Sequence, residues 1–146
     1  WWTASNVEES HAMGLEASLE FASWAKQPQW VISSEYQGNR SWAGPLRSLS
    51  SQLPYAPVHK AWVQGTYHRG ASFVQIMMTA VSARSTTLDG TASLPAYALC
   101  HAGIGYEQRR YRVTLGLRNL ANTTYQEVPW FPQPGRQAHI SLYSRF

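Results

Sequence analysis

The sequence predicts an all-β fold, an antiparallel meander of seven or eight long strands. Two observations carry this prediction: apolar and polar residues alternate with a period of two over most of the chain, and short connections alternate with long ones. The chain has 146 residues, of which 44% are hydrophobic and 14% charged, a size and composition typical of one folded domain. It shows neither internal repeats nor a composition shift, so residues 1–146 are expected to form a single unit.

The first predicted strand shows the alternation. Between His11 and Phe21 every second residue is apolar, and the positions between them include Glu16, Ser18 and Glu20. Six further segments alternate in the same way, with these apolar residues: Trp30, Ile32 and Tyr36; Ala61, Val63 and Tyr67; Val74, Ile76, Met78 and Ala80; Ala98, Cys100, Ala102, Ile104 and Tyr106; Tyr111, Val113, Leu115 and Leu117; Ala138, Ile140, Leu142 and Phe146. None of these residues is charged, so each strand is expected to have one apolar and one polar face.

The connections between the predicted strands alternate in length. Short links are expected at residues 25–28, 68–71 and 107–110, and long loops at 38–57, 84–95 and 119–135. The long loops hold most of the Pro residues. In a meander this alternation places every tight turn at one end of the sheet and every long loop at the other.

Composition argues against several functional classes. The excess of 12 basic over 8 acidic residues includes no Lys/Arg run, so nucleic-acid binding is not expected. Cys100 is the only cysteine, and the five His residues are scattered without metal-ligand spacing. The residues do not form a catalytic constellation, so we expect neither an enzyme nor a cofactor or metal site. No apolar run approaches the roughly 20 residues that a membrane-spanning helix needs.

Two architectures fit strands with one apolar face. One is a soluble sandwich or small barrel with the apolar faces inward, and the other is a membrane β-barrel with those faces toward lipid. Strands of about ten residues match a tilted membrane crossing. Aromatic residues near strand ends, such as Trp30, Tyr67 and Tyr106, suit the lipid–water boundary. These features favour the membrane barrel.

The C-terminal third carries a more specific pattern. It contains the segment Asn119–Tyr125 (NLANTTY), then Gln126–Pro129 and Pro132–Arg136 (PQPGR), and a last strand that ends in Phe146. This pattern closely resembles the end of TonB-dependent outer-membrane receptors. Upstream, Gly14–Ala17, Leu53–Ala61 and Leu94–Tyr97 resemble motifs of the same family in the same order. One departure is Ser144, which stands where the family usually has an aromatic residue.

The resemblance implies that the chain is the C-terminal section of a larger transmembrane barrel of 22 strands, located in the bacterial outer membrane. Family receptors import a nutrient chelate of the siderophore, cobalamin or haem class. Their partners are outer-membrane lipid, the TonB protein and a plug domain that fills the barrel, the last two through an N-terminal part that we expect to lie outside this chain. The barrel-insertion machinery reads the C-terminal strand. The resemblance also places the short turns in the periplasm and the long loops outside the cell.

The same resemblance assigns residues. Asn119, Leu120, Tyr125, Pro134, Gly135, Arg136 and Phe146 belong to the family motif and are expected to shape the last loop and strand. Gly135 is expected to supply backbone freedom there. Candidate substrate contacts in the long loops are Trp42, Trp130, Phe131 and Arg136, because aromatic and Arg side chains dominate binding energy at many interfaces. Glu16, Glu20 and Glu35 are expected to form ion pairs across the polar face with Lys60, Arg112, Arg118 and Arg145.

Two other readings stay open from the sequence. The chain could be a free-standing eight-stranded outer-membrane barrel with a structural or adhesion role, in which Trp1–Ser5 supplies the eighth strand. It could also be a soluble sandwich that binds a ligand. If the chain is a section of a larger barrel, the isolated fragment is expected to close into a small barrel or to self-associate through its edges.

Overall fold

The computed structural model describes residues 10–23, 26, 29–43 and 52–145. The eleven strands in this part of the chain are β1 (Ser10–Ala22), β2 (Gln29–Ala43), β3 (His59–Arg69), β4 (Ser72–Val81), β5 (Arg84–Ser85), β6 (Ser93–Leu94), β7 (Tyr97–Gln108), β8 (Tyr111–Arg118), β9 (Gln126–Val128), β10 (Phe131–Pro132) and β11 (Gln137–Ser144). Four predicted features lie wholly or partly outside the described residues: the possible eighth strand Trp1–Ser5, the link at 25–28 apart from Lys26, part of the long loop at 38–57, and Phe146.

The seven long strands form one antiparallel sheet in the order β1-β2-β3-β4-β7-β8-β11. Each strand pairs with its predecessor among the long strands, so the predicted meander is confirmed. Within the described residues the sheet is open, because β1 pairs with β2 only and β11 with β8 only. Of the two outcomes expected for the isolated chain, closure into a small barrel is not seen within the described residues, and association through the edges stays a prediction.

The strand register assembles the seven apolar faces into one continuous surface, which we call the apolar face. One row across the sheet shows this, since directly paired residues point to the same side: Trp30, Tyr67, Val74, Ile104, Leu115 and Ile140. The side chains on this face are exposed, with Leu19 at 70% and Ile140 at 75% of their full exposure. An apolar surface of this extent is far larger than a soluble monomer normally leaves uncovered.

The opposite side, which we call the polar face, carries Glu16, Gln64, Gln75, His101, Thr114 and His139, as the alternation predicts. It also carries large apolar side chains that the pattern does not reveal, among them Trp62 and Phe73. Phe73 is 2% exposed and lies opposite Gly105, whose missing side chain makes room for the ring. Among the described residues, the most deeply buried apolar side chain therefore lies on the predominantly polar side of the sheet.

Glu35 on the polar face was expected to form an ion pair, but the hydrogen bonds of its carboxylate come from neutral side chains. Its carboxylate accepts hydrogen bonds from Gln37 Nε2 (2.5 Å) and Trp62 Nε1 (3.2 Å), both neutral donors. An ion pair joins Arg112 Nη1 and Glu107 Oε2 at 3.7 Å, close to the tight turn between β7 and β8. Both of its partners are about half exposed, so the pair adds little stability.

The structure differs from the sequence prediction at the loops. Strand β2 continues to Ala43, so six residues of the segment predicted as a loop belong to the strand, and this extension brings Arg40 onto the apolar side opposite Met13. The two following long loops each contain a short hairpin, β5–β6 and β9–β10. Two-residue and three-residue strands are too short for an alternating pattern to be recognised. The described residues contain no helix that is long and apolar enough to cross a membrane.

Candidate functional site

The polar face holds a cavity of about 570 Å³ beneath the last long loop. Its wall comes from the middle of the sheet and from the loop ends of β7, β8 and β11. The polar residues that line it are Gln64, Gln75, His101, Arg118, Asn119, Tyr125, Gln133, Gln137 and His139. None of the lining residues is acidic, so the cavity presents hydrogen-bond donors and one permanent positive charge.

One hydrogen bond from the backbone determines which ring nitrogen of His101 can donate into this cavity. The backbone N–H of Asn119 donates to His101 Nδ1 at 3.3 Å. A ring nitrogen that accepts a hydrogen bond carries no proton, so in neutral His101 the proton lies on Nε2. The His101 ring is therefore set as a donor at its other nitrogen, and it reinforces the donor character that Arg118 gives to the wall.

Asn119 organises the loop that covers the cavity. It is 3% exposed and its backbone is in the left-handed region, with φ of 50°. Its side chain binds Thr123 in both directions: Asn119 Nδ2 donates to the Thr123 carbonyl and the Thr123 N–H donates to Asn119 Oδ1, each at 2.8 Å. Asparagine tolerates this conformation better than most residues and can close a turn with its own side chain. Asn119, the first residue of the motif that resembles the family, therefore stabilises the conformation of the loop.

Asn122 and Gly135 connect the two ends of the same loop. The N–H of Arg136 donates to Asn122 Oδ1 at 2.8 Å, and a Cβ added at Gly135 would lie 2.5 Å from that oxygen. Gly135 is not among the residues with positive φ in the described chain. The structure shows a second requirement at Gly135, because a side chain there would take the space of the Asn122 side chain.

We expect Asn119→Ala to destabilise the barrel by about 1–3 kcal/mol, because it leaves the N–H and carbonyl of Thr123 without their partners and places Ala at positive φ. Urea unfolding of the barrel in lipid vesicles measures the change. Asn39→Ala is the matched control, since the Asn39 side chain makes none of these loop contacts. A loss at Asn119 no larger than at Asn39 would contradict this role.

Arg84 links the two described long loops. It is 7% exposed, and its Nη2 donates to the carbonyl oxygens of Gln126 (3.2 Å) and Glu127 (3.3 Å). The guanidinium also lies 5.6 Å from the ring centre of Tyr97, which packs against Tyr125 at 4.6 Å. The buried guanidinium of Arg84 therefore connects the β5–β6 loop to the β9–β10 loop.

The β5–β6 loop is also ordered at its tip. The N–H and hydroxyl of Thr91 donate to Asp89 Oδ1 at 3.1 and 2.8 Å. Hydrogen bonds from Thr87 and then from Thr91 hold the pKa of the exposed Asp89 carboxyl below its ordinary value. The carboxylate therefore stays ionised and closes this turn.

The predicted substrate contacts lie on separate elements. Trp130 and Phe131 form the tip of the β9–β10 hairpin and are 91% and 67% exposed. Trp42 lies near the end of β2, is 5% exposed and stacks on His11 at 5.6 Å. Arg136 is exposed after the last loop, and its backbone N–H donates to Asn122 Oδ1. Of these four candidates, Trp130 and Phe131 are the ones that present exposed aromatic surface.

Trp130 has an unusual backbone for so large a residue, with φ of 70°. Its N–H is held by Gln126 Oε1 at 3.3 Å. A bulky residue in the left-handed region stores strain, and such strain concentrates at binding sites. The backbone of the hairpin tip is therefore held at Trp130, and its ring is exposed to solvent.

Sequence reasoning missed most of the residues around the cavity. Gln64, Gln75 and Gln133 were not singled out, and His101 and His139 were treated as dispersed histidines. Their shared location depends on strand register, which sets five separate segments side by side. The tight turn between β7 and β8 places those two strands side by side, but β11 follows β8 through the last long loop, so the tight turns do not predict that His139 shares the cavity with His101. No sequence signal marks Arg84.

Comparisons with known proteins support the fold. The sequence matches no family profile and no curated protein. Solved structures match over 94% of this chain: the copper transporter OprC (15% identity, TM-score 0.75), the ferric yersiniabactin uptake receptor FyuA from Yersinia pestis (14%, 0.68) and the ferric-catecholate import receptor Fiu from E. coli K12 (15%, 0.63). The chain spans 24–25% of the length of these proteins.

These similar structures are named as a copper transporter, an uptake receptor and an import receptor. The likeness predicted from the motifs is thus confirmed for the architecture: this chain has the fold of a section of the β-barrel of TonB-dependent receptors.

Proposed function

We propose that the chain is part of an outer-membrane receptor that imports a nutrient chelate and depends on TonB for energy. The observation that carries the proposal is the division of one sheet into a continuous exposed apolar face and a polar face with a cavity under the last loop. In a membrane barrel the apolar face contacts lipid and the polar face lines the interior. A plug domain elsewhere in the receptor would pack against that interior.

The proposed orientation follows from the loops. The end of the sheet with the β5–β6 and β9–β10 hairpins, which we call the loop end, faces the outside of the cell. The end with the two-residue turns between β3 and β4 and between β7 and β8 faces the periplasm. Outer-membrane barrels have this asymmetry of long outer loops and short inner turns.

The chemistry of the cavity supports a chelate that carries negative charge. Arg118, the Nε2 donor of His101, and the amides around them match carboxylate or other anionic oxygens, and no acidic side chain of the wall opposes such a ligand. Siderophores, haem and corrinoids are the candidate classes. The exposed rings of Trp130 and Phe131 would make the first contact outside the cell.

The alternative is a free-standing small barrel. Such a barrel needs its first and last strands paired, whereas β1 and β11 are both edges within the described residues. Two long unpaired edges favour association with further strands. The open sheet therefore supports the receptor section over the closed small barrel.

In the full-length receptor, we expect Trp130→Ala combined with Phe131→Ala to reduce uptake of the cognate nutrient about tenfold or more, because two preorganised rings leave the binding surface. Growth on the cognate nutrient and uptake of the labelled chelate measure the effect. Barrel assembly, followed by heat-modifiable mobility on gels, should be unchanged.

Gly135→Val provides the contrasting variant. Its added carbons overlap the Asn122 side chain, so we expect impaired assembly and a loss of heat-modifiable protein. Normal transport by the aromatic double variant would mean that the hairpin tip is only a lid, and that selectivity lies in another part of the receptor.

A further inference from the structure

Arg84 and Ser85 form strand β5 at the start of the second long loop, and hydrogen bonds from this strand reach both of the other long loops. The Ser85 carbonyl accepts the N–H of Tyr55 at 2.7 Å, in the described part of the first long loop. Arg84 Nη2 donates to the carbonyl oxygens of Gln126 and Glu127 in the last long loop, at 3.2 and 3.3 Å. The three long loops therefore meet at β5.

The contact between Arg84 and the last loop leads directly to the exposed tip of that loop. Gln126 pairs with Pro132 across the β9–β10 hairpin, and its side-chain Oε1 accepts the N–H of Trp130 at 3.3 Å. The Trp130 ring is 91% exposed, so packing of the ring itself contributes little to its position. The position of the ring depends instead on where the hairpin backbone is held, and Gln126 is the residue through which Arg84 holds it.

A tyrosine of the main sheet holds the same hairpin. Tyr97, the first residue of β7, lies with its ring centre 5.6 Å from the guanidinium carbon of Arg84 and 4.6 Å from the ring centre of Tyr125. Its hydroxyl donates to Glu127 Oε1 at 3.3 Å. A guanidinium close to the face of an aromatic ring is attracted by the ring electrons. Arg84 therefore contacts both a long strand of the sheet and the hairpin.

The buried position of Arg84 is costly for a charged side chain. Its hydrogen-bond acceptors are neutral carbonyl oxygens, and its Nη1 makes no hydrogen bond within the described residues. Burying a cation with neutral partners costs free energy that an apolar side chain of similar volume would not cost. What the guanidinium adds is the pair of bonds to Gln126 and Glu127, and these bonds act on the hairpin.

We propose that Arg84 is a positioning residue for ligand binding: its bonds to Gln126 and Glu127 fix the β9–β10 hairpin, so that Trp130 and Phe131 meet the chelate from one place. The inference rests on the proposed function, because it takes this hairpin as the first contact for the chelate outside the cell. It adds that the second long loop takes part in recognition through a residue that the chelate does not touch. Preorganised contacts bind more tightly because less entropy is lost on binding.

Two other roles for Arg84 fit the structure less well. Direct contact with the chelate would need an accessible guanidinium, and Arg84 is buried. A role in the stability of the barrel would need Arg84 in the main sheet, but β5 pairs with β6 and neither of them belongs to the seven-stranded sheet. The contacts of Arg84 therefore act on the arrangement of the loops.

The first measurement follows the position of the hairpin. In the full-length receptor in lipid vesicles, native cysteines such as Cys100 are replaced, and spin labels are attached at Leu88→Cys and Val128→Cys, both of which are about half exposed. Pulsed electron paramagnetic resonance gives the distribution of distances between the two loops. We expect a narrow distribution with Arg84, a clearly broader one with Arg84→Met, and an intermediate one with Arg84→Lys, which keeps the charge and can still donate to a carbonyl.

The second measurement separates positioning from folding. The unaltered receptor is offered haemin, cyanocobalamin and a ferric carboxylate siderophore, one probe for each candidate class, and uptake of the accepted probe is followed against its concentration. With Arg84→Met we expect the concentration for half-maximal uptake to rise about threefold to tenfold, while the maximal rate stays within about twofold of the unaltered value. Arg84→Lys should recover much of the loss, and heat-modifiable mobility should be the same in all variants.

Arg69→Met is the matched control. It also removes one exposed arginine, but Arg69 is the last residue of β3, at the tight-turn end of the sheet. Neither the distance distribution nor the uptake curve should change in this variant, because it leaves the contacts between the long loops intact.

Three outcomes would overturn the role of Arg84: distances that stay narrow with Arg84→Met, broad distances with an unchanged concentration for half-maximal uptake, or a loss of heat-modifiable receptor, which would identify a stabilising role in the barrel instead. Uptake of none of the three probes by the unaltered receptor would overturn the proposed function, and the distances would still decide whether Arg84 fixes the hairpin.

Discussion

Replacing Ile104 by Arg is expected to destabilise the barrel in a bilayer by about 2–4 kcal/mol. Ile104 lies near the centre of β7, is 55% exposed and is flanked on the apolar face by Val74 and Leu115. A guanidinium there would be surrounded by acyl chains, far from either interface. The penalty arises from the membrane alone, because in water the same substitution on an exposed surface would cost little.

The measurement is the free energy of unfolding in urea, with the full-length receptor in lipid vesicles. Thr114→Arg is the matched control, because Thr114 precedes Leu115 in β8 but points to the polar face opposite Gly105. The control should lose much less stability. If both variants are equally stable, or if Ile104→Arg is the better tolerated of the two, the apolar face does not meet lipid.

The sheet could be predicted from the sequence because period-two alternation fixes both the strands and their faces. All of the predicted apolar rows lie in register, from Phe21 opposite Ile32 to Leu117 opposite Ala138. With tight turns such as 70–71, the register of a hairpin follows from the turn, since a slip of one residue would turn every apolar side chain to the other face.

The extension of β2 and the two short hairpins in the long loops could not be predicted from the sequence. The extension of β2 to Ala43 follows from pairing with β1, which starts at Ser10, and no local signal marks where that pairing ends. The sequence therefore did not reveal that Arg40 shares a side with Met13. The short hairpins β5–β6 and β9–β10 likewise depend on contacts between loops, such as Arg84 with Gln126 and Glu127.

Only part of the candidate site could be predicted, because its remaining residues depend on contacts that form only in the folded chain. The motif residues Asn119 and Tyr125 could be singled out, but the partners that explain them, Thr123 and Tyr97, are found only once the loop is folded. Trp42 was chosen as a free aromatic residue and is 5% exposed, because burial at a strand end depends on what packs over it. The four substrate candidates remain proposals.

Phe73 on the polar face gives the second large expected effect. Its ring is 2% exposed, covers Gly105 and is flanked by His68 (5.6 Å between ring centres) and by the guanidinium of Arg112 (4.5 Å). We expect Phe73→Ala to cost about 3–5 kcal/mol, because it removes the ring from a packed position and leaves the glycine backbone uncovered. Val74→Ala, on the opposite face and 45% exposed, should cost much less.

A double-variant cycle tests whether the Phe73 ring acts through Gly105. Any Cβ at Gly105 would overlap the ring, so Gly105→Ala alone should destabilise the barrel by displacing Phe73. Once Phe73 is already Ala, that overlap is gone and Gly105→Ala should cost little or even stabilise the strand, since Ala suits a strand better than Gly. Urea unfolding of the four proteins in vesicles gives the coupling energy, which should be about 1 kcal/mol or more. Strictly additive costs would show that Phe73 stabilises the sheet independently of the glycine it covers.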